Sequence, residues 1–139
     1  MRGANLLVSL LFRDTARPRH NFTQIVGLSA ALACQQLVGM RPELKWPNDL
    51  LVNGRKLSGI LAAGNSEFVV VGIGINVNWA PDGATSLGEV SPDTRLHPAD
   101  LLRLMLSSID EFERLSVEEL HDIYSASLTT IGATVRVEF

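Results

Sequence analysis

The sequence predicts an α/β domain: a mixed sheet containing an antiparallel meander, with helices packed on it. Three observations lead there. Residues 44–78 alternate short apolar runs with turn residues, and Asn53-Gly54 sits at the centre of that stretch. Three segments, 22–38, 98–114 and 117–127, space their apolar residues at helical intervals. The chain has 139 residues with 46% apolar content, enough for the core of one domain.

Residues 5–12, Asn5-Leu6-Leu7-Val8-Ser9-Leu10-Leu11-Phe12, are nearly all apolar. Such a run suits a central strand covered on both faces. Asn21-Phe22-Thr23-Gln24 resembles a capping box and would open the first helix, which runs over 22–38 and stops at Gly39. Leu44-Lys45-Trp46 enters a strand, Pro47 breaks it, and Asp49 to Val52 resumes it. Asn53-Gly54 then predicts a type I′ hairpin, because both central positions of that turn need positive φ. Lys56 to Ala62 returns as the second arm, Gly64-Asn65 turns again, and Glu67 to Asn78 gives the third. Residues 79–92 read as loop. Pro98 stands where a first helical residue should, and Ser116-Val117-Glu118-Glu119 is a second capping box. Residues 133–138 alternate like a half-buried strand.

Composition narrows the function. Net charge is -3, which gives no basic footprint for nucleic acid. No apolar run is long enough for a membrane helix, and Arg13-Asp14 follows the first run in place of a small-residue cleavage site. A cytoplasmic location is the expectation. The single cysteine, Cys34, allows no intrachain disulfide and fits a reducing compartment. It falls inside the first helix and reads as a buried hydrophobe, without a cationic neighbour to activate it. His20, His97 and His121 are scattered without ligand spacing, so zinc is not expected.

The candidate chemistry lies between Lys45 and Leu61. Lys45 and Lys56 are the only lysines; the other basic residues are all arginine. Lysine is a compact point charge and arginine a wide planar fork, so a lysine in so arginine-rich a chain is a candidate for a place that arginine cannot fill. Inside a pocket such an amine binds an anion, carboxylate or phosphate. Asn48-Asp49 supplies a polar pair beside it. Both features also have a plain reading: Asn48-Asp49 as turn chemistry after a proline, Lys56 as a solvated strand charge. Gly72-Ile73-Gly74 puts two positions without side chains on one strand face, and Asn76 follows on that face. Glycine there marks either close approach of a ligand to the backbone or tight packing. The pattern is not a dinucleotide fingerprint, since no third glycine and no helix follow.

Taken together, Lys45-Trp46-Pro47-Asn48-Asp49, then Gly54-Arg55-Lys56-Leu57 with Gly59-Ile60-Leu61, then Gly72-Ile73-Gly74-Ile75-Asn76-Val77-Asn78, resembles the catalytic domain of biotin protein ligases. Gly3-Ala4-Asn5-Leu6-Leu7 and Ala84-Thr85-Ser86-Leu87 are similar to that family as well. The resemblance implies the class II synthetase-like fold of biotin and lipoate ligases. It implies a two-step reaction in which biotin and ATP, with Mg2+, give biotinyl-5′-adenylate and pyrophosphate. A lysine of a carboxylase's biotin carrier domain then takes the biotinyl group. Lys56 would be the central catalytic lysine, against the biotin carboxylate and the α-phosphate. Gly59 and Gly72 would form the biotin wall. Lys45, Asn48, Asp49, Gly74 and Asn76 would lie on the nucleotide side, with Asp49 also near the metal. A homodimer formed by sheet pairing, a non-catalytic binding remnant and a lipoate or octanoate ligase of the same fold are the alternatives.

Set against the family's pattern, the chain starts after a Thr-Ser-Thr-Asn-type segment and a Gly-Arg-Gly-Arg-type loop. A position that is often Glu in the family is Ala63. The resemblance therefore implies a catalytic domain over 1–132 lacking its N-terminal part, with 133–139 as the first strand of a missing C-terminal barrel.

Overall fold

The structure, a computed structural model, describes residues 3–13 and 16–138. The elements run β1 (Leu6–Phe12), α1 (Arg19–Val38), β2 (Glu43–Lys45), β3 (Asp49–Val52), β4 (Arg55–Gly64), β5 (Val69–Ile75), α2 (Leu87–Val90), α3 (Pro98–Glu113) and α4 (Val117–Ser127). The five strands form one sheet in the order β1-β5-β4-β3-β2. Every ladder between these strands is antiparallel, and the parallel component is a single bridge from Leu44 to Leu128.

The predicted meander is β2 to β5. Its central turn has Asn53 at φ 50° and Gly54 at φ 77°, as a type I′ hairpin requires. At the next turn the Asn65 side chain accepts from the backbone N–H groups of Glu67 and Phe68. A Cβ on Gly64 would lie 2.3 Å from the Phe68 carbonyl oxygen, so the chain reverses there only without a side chain.

The helices cover one face of the sheet. α1 packs on α3, on α4 and across β2, β3, β4 and β5. Its Phe22, Ile25, Val26, Leu28 and Ala33 are buried, and so are Leu6, Phe12, Leu50, Ile60, Val71, Ile73 and Ile75 of the sheet. Gly27 lets α1 come close: a Cβ there would meet Ile60 Cδ1 at 3.3 Å and Leu44 Cδ2 at 3.4 Å. Among the described residues no helix packs on the opposite face of the sheet, and that asymmetry creates the site.

Four expectations change. Residues 6–12 are an edge strand, not a central one. Their apolar character on both faces has a different cause: Leu6, Val8, Leu10 and Phe12 meet the core, while Leu7 and Leu11 stand on the open face, 83% and 54% exposed. α1 starts at Arg19, with Pro18 before it, and no capping box forms at Asn21. The Pro18 carbonyl accepts from the Asn21 N–H at 3.0 Å, so Asn21 is already helical, and its amide donates to Gln24 Oε1. The 79–92 loop contains α2, capped by Ser86, which accepts from the Glu89 N–H. Residues 134–138 are exposed and pair with no strand among the described residues.

The second capping box forms as expected: Ser116 Oγ accepts from the Glu119 N–H, and the Glu119 carboxylate accepts from the Ser116 N–H. Pro98 is the first residue of α3, and α1 ends at Gly39, φ 76°. Cys34 is buried inside α1, and burial pushes its thiol from 9.0 up to about 12. That is the inert hydrophobe, not a nucleophile.

Candidate functional site

Register builds the site. Cross-strand partners in a sheet point to the same face. Leu7 pairs with Gly74, Gly74 with Gly59, Gly59 with Asp49, and Asp49 with Lys45. One row on the open face therefore reads Leu7, Gly74, Gly59, Asp49, Lys45. The next row reads Ser9, Gly72, Leu61. Glycines occupy the middle of both rows, so the floor there is bare backbone. A cavity of about 600 Å³ lies over it, lined by Leu7, Val8, Ser9, Asn48, Asp49, Lys56, Gly59, Ile60, Leu61, Gly72, Ile73 and Gly74.

The cavity is polar at one end and apolar at the other. Lys56 Nζ stands 3.1 Å from Asp49 Oδ1, with side-chain exposures of 56% and 31%. Asn48 is beside them, and its backbone carbonyl accepts from the Ile60 N–H at 2.8 Å. Leu7 and Leu61 stand up from the apolar end, and Leu61 is 74% exposed. The division offers a cation for an anionic group at one end and bare backbone with leucines for an apolar group at the other.

How Lys56 reaches that face is a finding the sequence reading did not contain. Strict alternation along β4 puts Lys56 in phase with Ser58 and Ile60, which are buried on the core side. The register shifts between Leu50 and Leu51: Leu50 pairs with Ser58 but Leu51 pairs with Lys56, so Leu57 is an extra residue. This is a β-bulge, the device that re-aims a side chain beside a site. It turns Leu57 into the core, where it is fully buried, and brings Lys56 over Gly59. A Cβ on Gly59 would lie 3.3 Å from Lys56 Nζ and 3.9 Å from Asp49 Oδ1, so the glycine leaves room for the pair. The clash between a lysine and a core-facing phase was readable beforehand, and it is the signal of the bulge.

Six of the eight residues singled out from the sequence line the cavity: Asn48, Asp49, Lys56, Gly59, Gly72 and Gly74. Lys45 ends the first row on β2, exposed and outside the lining. Asn76 lies just past β5 and is also outside it; its amide donates to the Thr85 carbonyl at 3.0 Å. The far end, the leucines Leu7 and Leu61 with the hydroxyl of Ser9, was missed. Its signal was the second face of a strand read as wholly buried. Among the described residues no three His, Cys, Asp or Glu side chains come together as a metal centre. Asp49 is the one carboxylate that lines the cavity among the described residues, and its Oδ1 is engaged by Lys56.

The sequence profile of the biotin/lipoate A/B protein ligase family matches residues 2–78, which hold every lining residue. The chain belongs to this family. Among ligases of the family, the biotin–[acetyl-CoA-carboxylase] ligase of Mycobacterium tuberculosis is 39% identical over 122 residues, 81% of this chain and 46% of that protein. The bifunctional ligase/repressor BirA of Bacillus subtilis is 35% identical over 105 residues, 64% of this chain and 32% of that one. The chain thus spans less than half the length of either relative. Among solved structures, the Aquifex aeolicus biotin protein ligase in complex with biotin and ATP superposes with a TM-score of 0.79. That match has 27% identity and covers 91% of this chain and 59% of that one. The Leishmania major biotin protein ligase in complex with biotinyl-5-AMP gives the same TM-score at 18% identity, a likeness of fold. The family's fold is therefore the fold of this chain. No helix among the described residues is long and apolar enough to cross a membrane.

Proposed function

We propose that this chain is the catalytic portion of an ATP-dependent biotin–protein ligase. It activates biotin with ATP to biotinyl-5′-AMP and pyrophosphate, and then passes the biotinyl group to a lysine of a carboxylase's biotin carrier domain. The observation that carries the reading is the Lys56–Asp49 pair at the polar end of a glycine-floored, otherwise apolar groove. Biotin has that division: a carboxylate on an apolar chain and a compact ring body. Lys56 meets the biotin carboxylate and the α-phosphate: a carboxylate oxygen bonds to the α-phosphorus as the bond from that phosphorus to pyrophosphate breaks, and the ammonium stabilises the negative charge on the oxygens around it. Asp49 holds the ammonium in place. Gly59 and Gly72 let the ligand lie on the backbone, and Asn48 and Gly74 border the nucleotide. Lys45 and Asn76 belong to the nucleotide side only through their neighbours, Asp49 and the 84–86 segment. Asp49 would hold magnesium together with the ATP phosphates, and the ion would offset their negative charge.

The test is formation of the acyl-adenylate. With biotin and α-labelled ATP the protein yields labelled biotinyl-5′-AMP and releases pyrophosphate. With lipoate in place of biotin it yields far less. Lipoate turning over as well as biotin assigns the other substrate of the family. Binding of biotin without pyrophosphate release assigns a non-catalytic binding domain.

A further inference from the structure

We infer that Arg55 and Glu89 are positioning residues for Lys56: they clamp the 84–89 segment behind the β4 bulge and so fix where the ammonium stands. The inference rests on the role given to Lys56 above. A bulge leaves an extra residue outside the ladder, and its backbone groups need partners elsewhere. Here the partners come from the chain after β5. The Thr85 N–H donates to the Lys56 carbonyl at 2.9 Å, and the Asn76 N–H donates to the Leu57 carbonyl at 3.0 Å. The 84–89 segment is therefore the backing of the bulge.

That segment is held by side chains. Arg55 Nη2 donates to the Ala84 carbonyl, and Arg55 Nη1 meets Glu89 Oε2 at 3.1 Å. The same Glu89 oxygen accepts from Thr85 Oγ1 at 3.4 Å, and the Asn76 amide donates to the Thr85 carbonyl. One guanidinium thus grips both ends of the segment, and its carboxylate partner ties the far end back to Thr85 near the start. A planar fork does this with two nitrogens at once, and a lysine offers one. Neither Arg55 nor Glu89 lines the cavity, so both act through Lys56. Their side chains are about half exposed, 49% and 48%. An ion pair so exposed adds little to global stability, so breaking it perturbs the bulge without unfolding the domain.

The absence of lysines other than Lys45 and Lys56 makes the test direct. Protein grown with ε-13C lysine gives two lysine side-chain resonances, and Lys45 is the internal control. In Arg55→Ala, Arg55→Lys and Glu89→Gln the Lys56 resonance moves toward that of free lysine while Lys45 stays. In the same variants adenylate formation falls about 10- to 100-fold, the scale of a small misplacement of a reacting group. The Arg55→Ala/Glu89→Gln double variant is no worse than either single, because the two act as one device. A Lys56 resonance unmoved in all folded variants overturns the inference, and so do losses that multiply in the double. Glu89→Gln keeps size and shape, so it carries the test if Arg55→Ala fails to fold. The resonance is read without biotin or ATP. If it moves in a protein that makes no adenylate, the positioning stands and the assigned reaction fails.

Discussion

At the scale of single residues, the site turns on one cation and the glycine beneath it. Lys56→Ala removes the only ammonium that lines the cavity among the described residues. Pyrophosphate release with biotin and ATP should fall roughly 10²- to 10³-fold, the effect of losing one preorganised electrostatic contact, about 3–4 kcal/mol. The melting temperature should hardly change, since the Lys56–Asp49 pair is partly exposed and such pairs contribute little to stability. Lys56→Arg should fail too, because Gly59 and Asp49 leave a space sized for a point charge. Near-normal turnover of Lys56→Arg would mean that any cation serves. Gly59→Ala tests the floor separately. Its methyl would sit 3.3 Å from Lys56 Nζ and push the ammonium aside. Biotin affinity by calorimetry should drop roughly tenfold, or about 1.4 kcal/mol. Unchanged affinity would show that the ligand does not lie on Gly59.

At the scale of elements, the interior of α1 makes stability depend on alkaline pH. Burial raises the Cys34 thiol from 9.0 to about 12, and raises Tyr124 of α4 above its ordinary 10.0. In the folded chain both stay neutral, whereas the unfolded chain loses the thiol proton from about pH 9. The stabilising contribution is therefore complete below pH 9 and is lost as pH rises through 9 toward 12. The urea midpoint should fall between pH 8 and pH 10.5 in wild type, and fall less in Cys34→Ala. Equal pH slopes for the two proteins would remove Cys34 from the account. The same elements show what the sequence could reveal. Turns and caps were legible because local chemistry sets them: Asn53-Gly54, Ser116 with Glu119, Pro98 and Gly39. Residues 6–12 were not, because apolar faces look alike whether they meet a helix layer or wall a groove. Pro18 overrode the Asn21 cap by starting the helix three residues earlier, a choice between two adequate local solutions. In the site, six of eight residues came together because a sheet row converts sequence spacing into proximity. The bulge at Leu57 was missed although a lysine in a core-facing phase signals it, because periodic reading assumes that the period never slips.

At the scale of the whole molecule, the described helices pack on one face of the sheet, and the two sheet edges differ. The β2 edge is short, three residues, and is partly covered: Leu128 bridges Leu44, the Thr129 N–H donates to the Leu44 carbonyl, and Thr130 Oγ1 accepts from the Trp46 N–H. The β1 edge is seven residues long, and among the described residues no strand pairs with its outer side. Leu7 and Leu11 stand beside it on the open face. A long edge next to exposed leucines is a template for strand addition, either by a second copy or by misassociation. The purified protein should therefore associate as concentration rises, as seen by sedimentation velocity. Leu11→Lys should suppress this, because a charge on an edge strand opposes pairing. Leu11 does not line the cavity, so Leu11→Lys should bind biotin as wild type does. Leu7 does line it, so Leu7→Lys should lose association and biotin affinity together. A monomer at every concentration would show that this edge is protected. Association of Leu11→Lys equal to wild type would move the contact away from β1 altogether, with the short β2 edge as the remaining candidate.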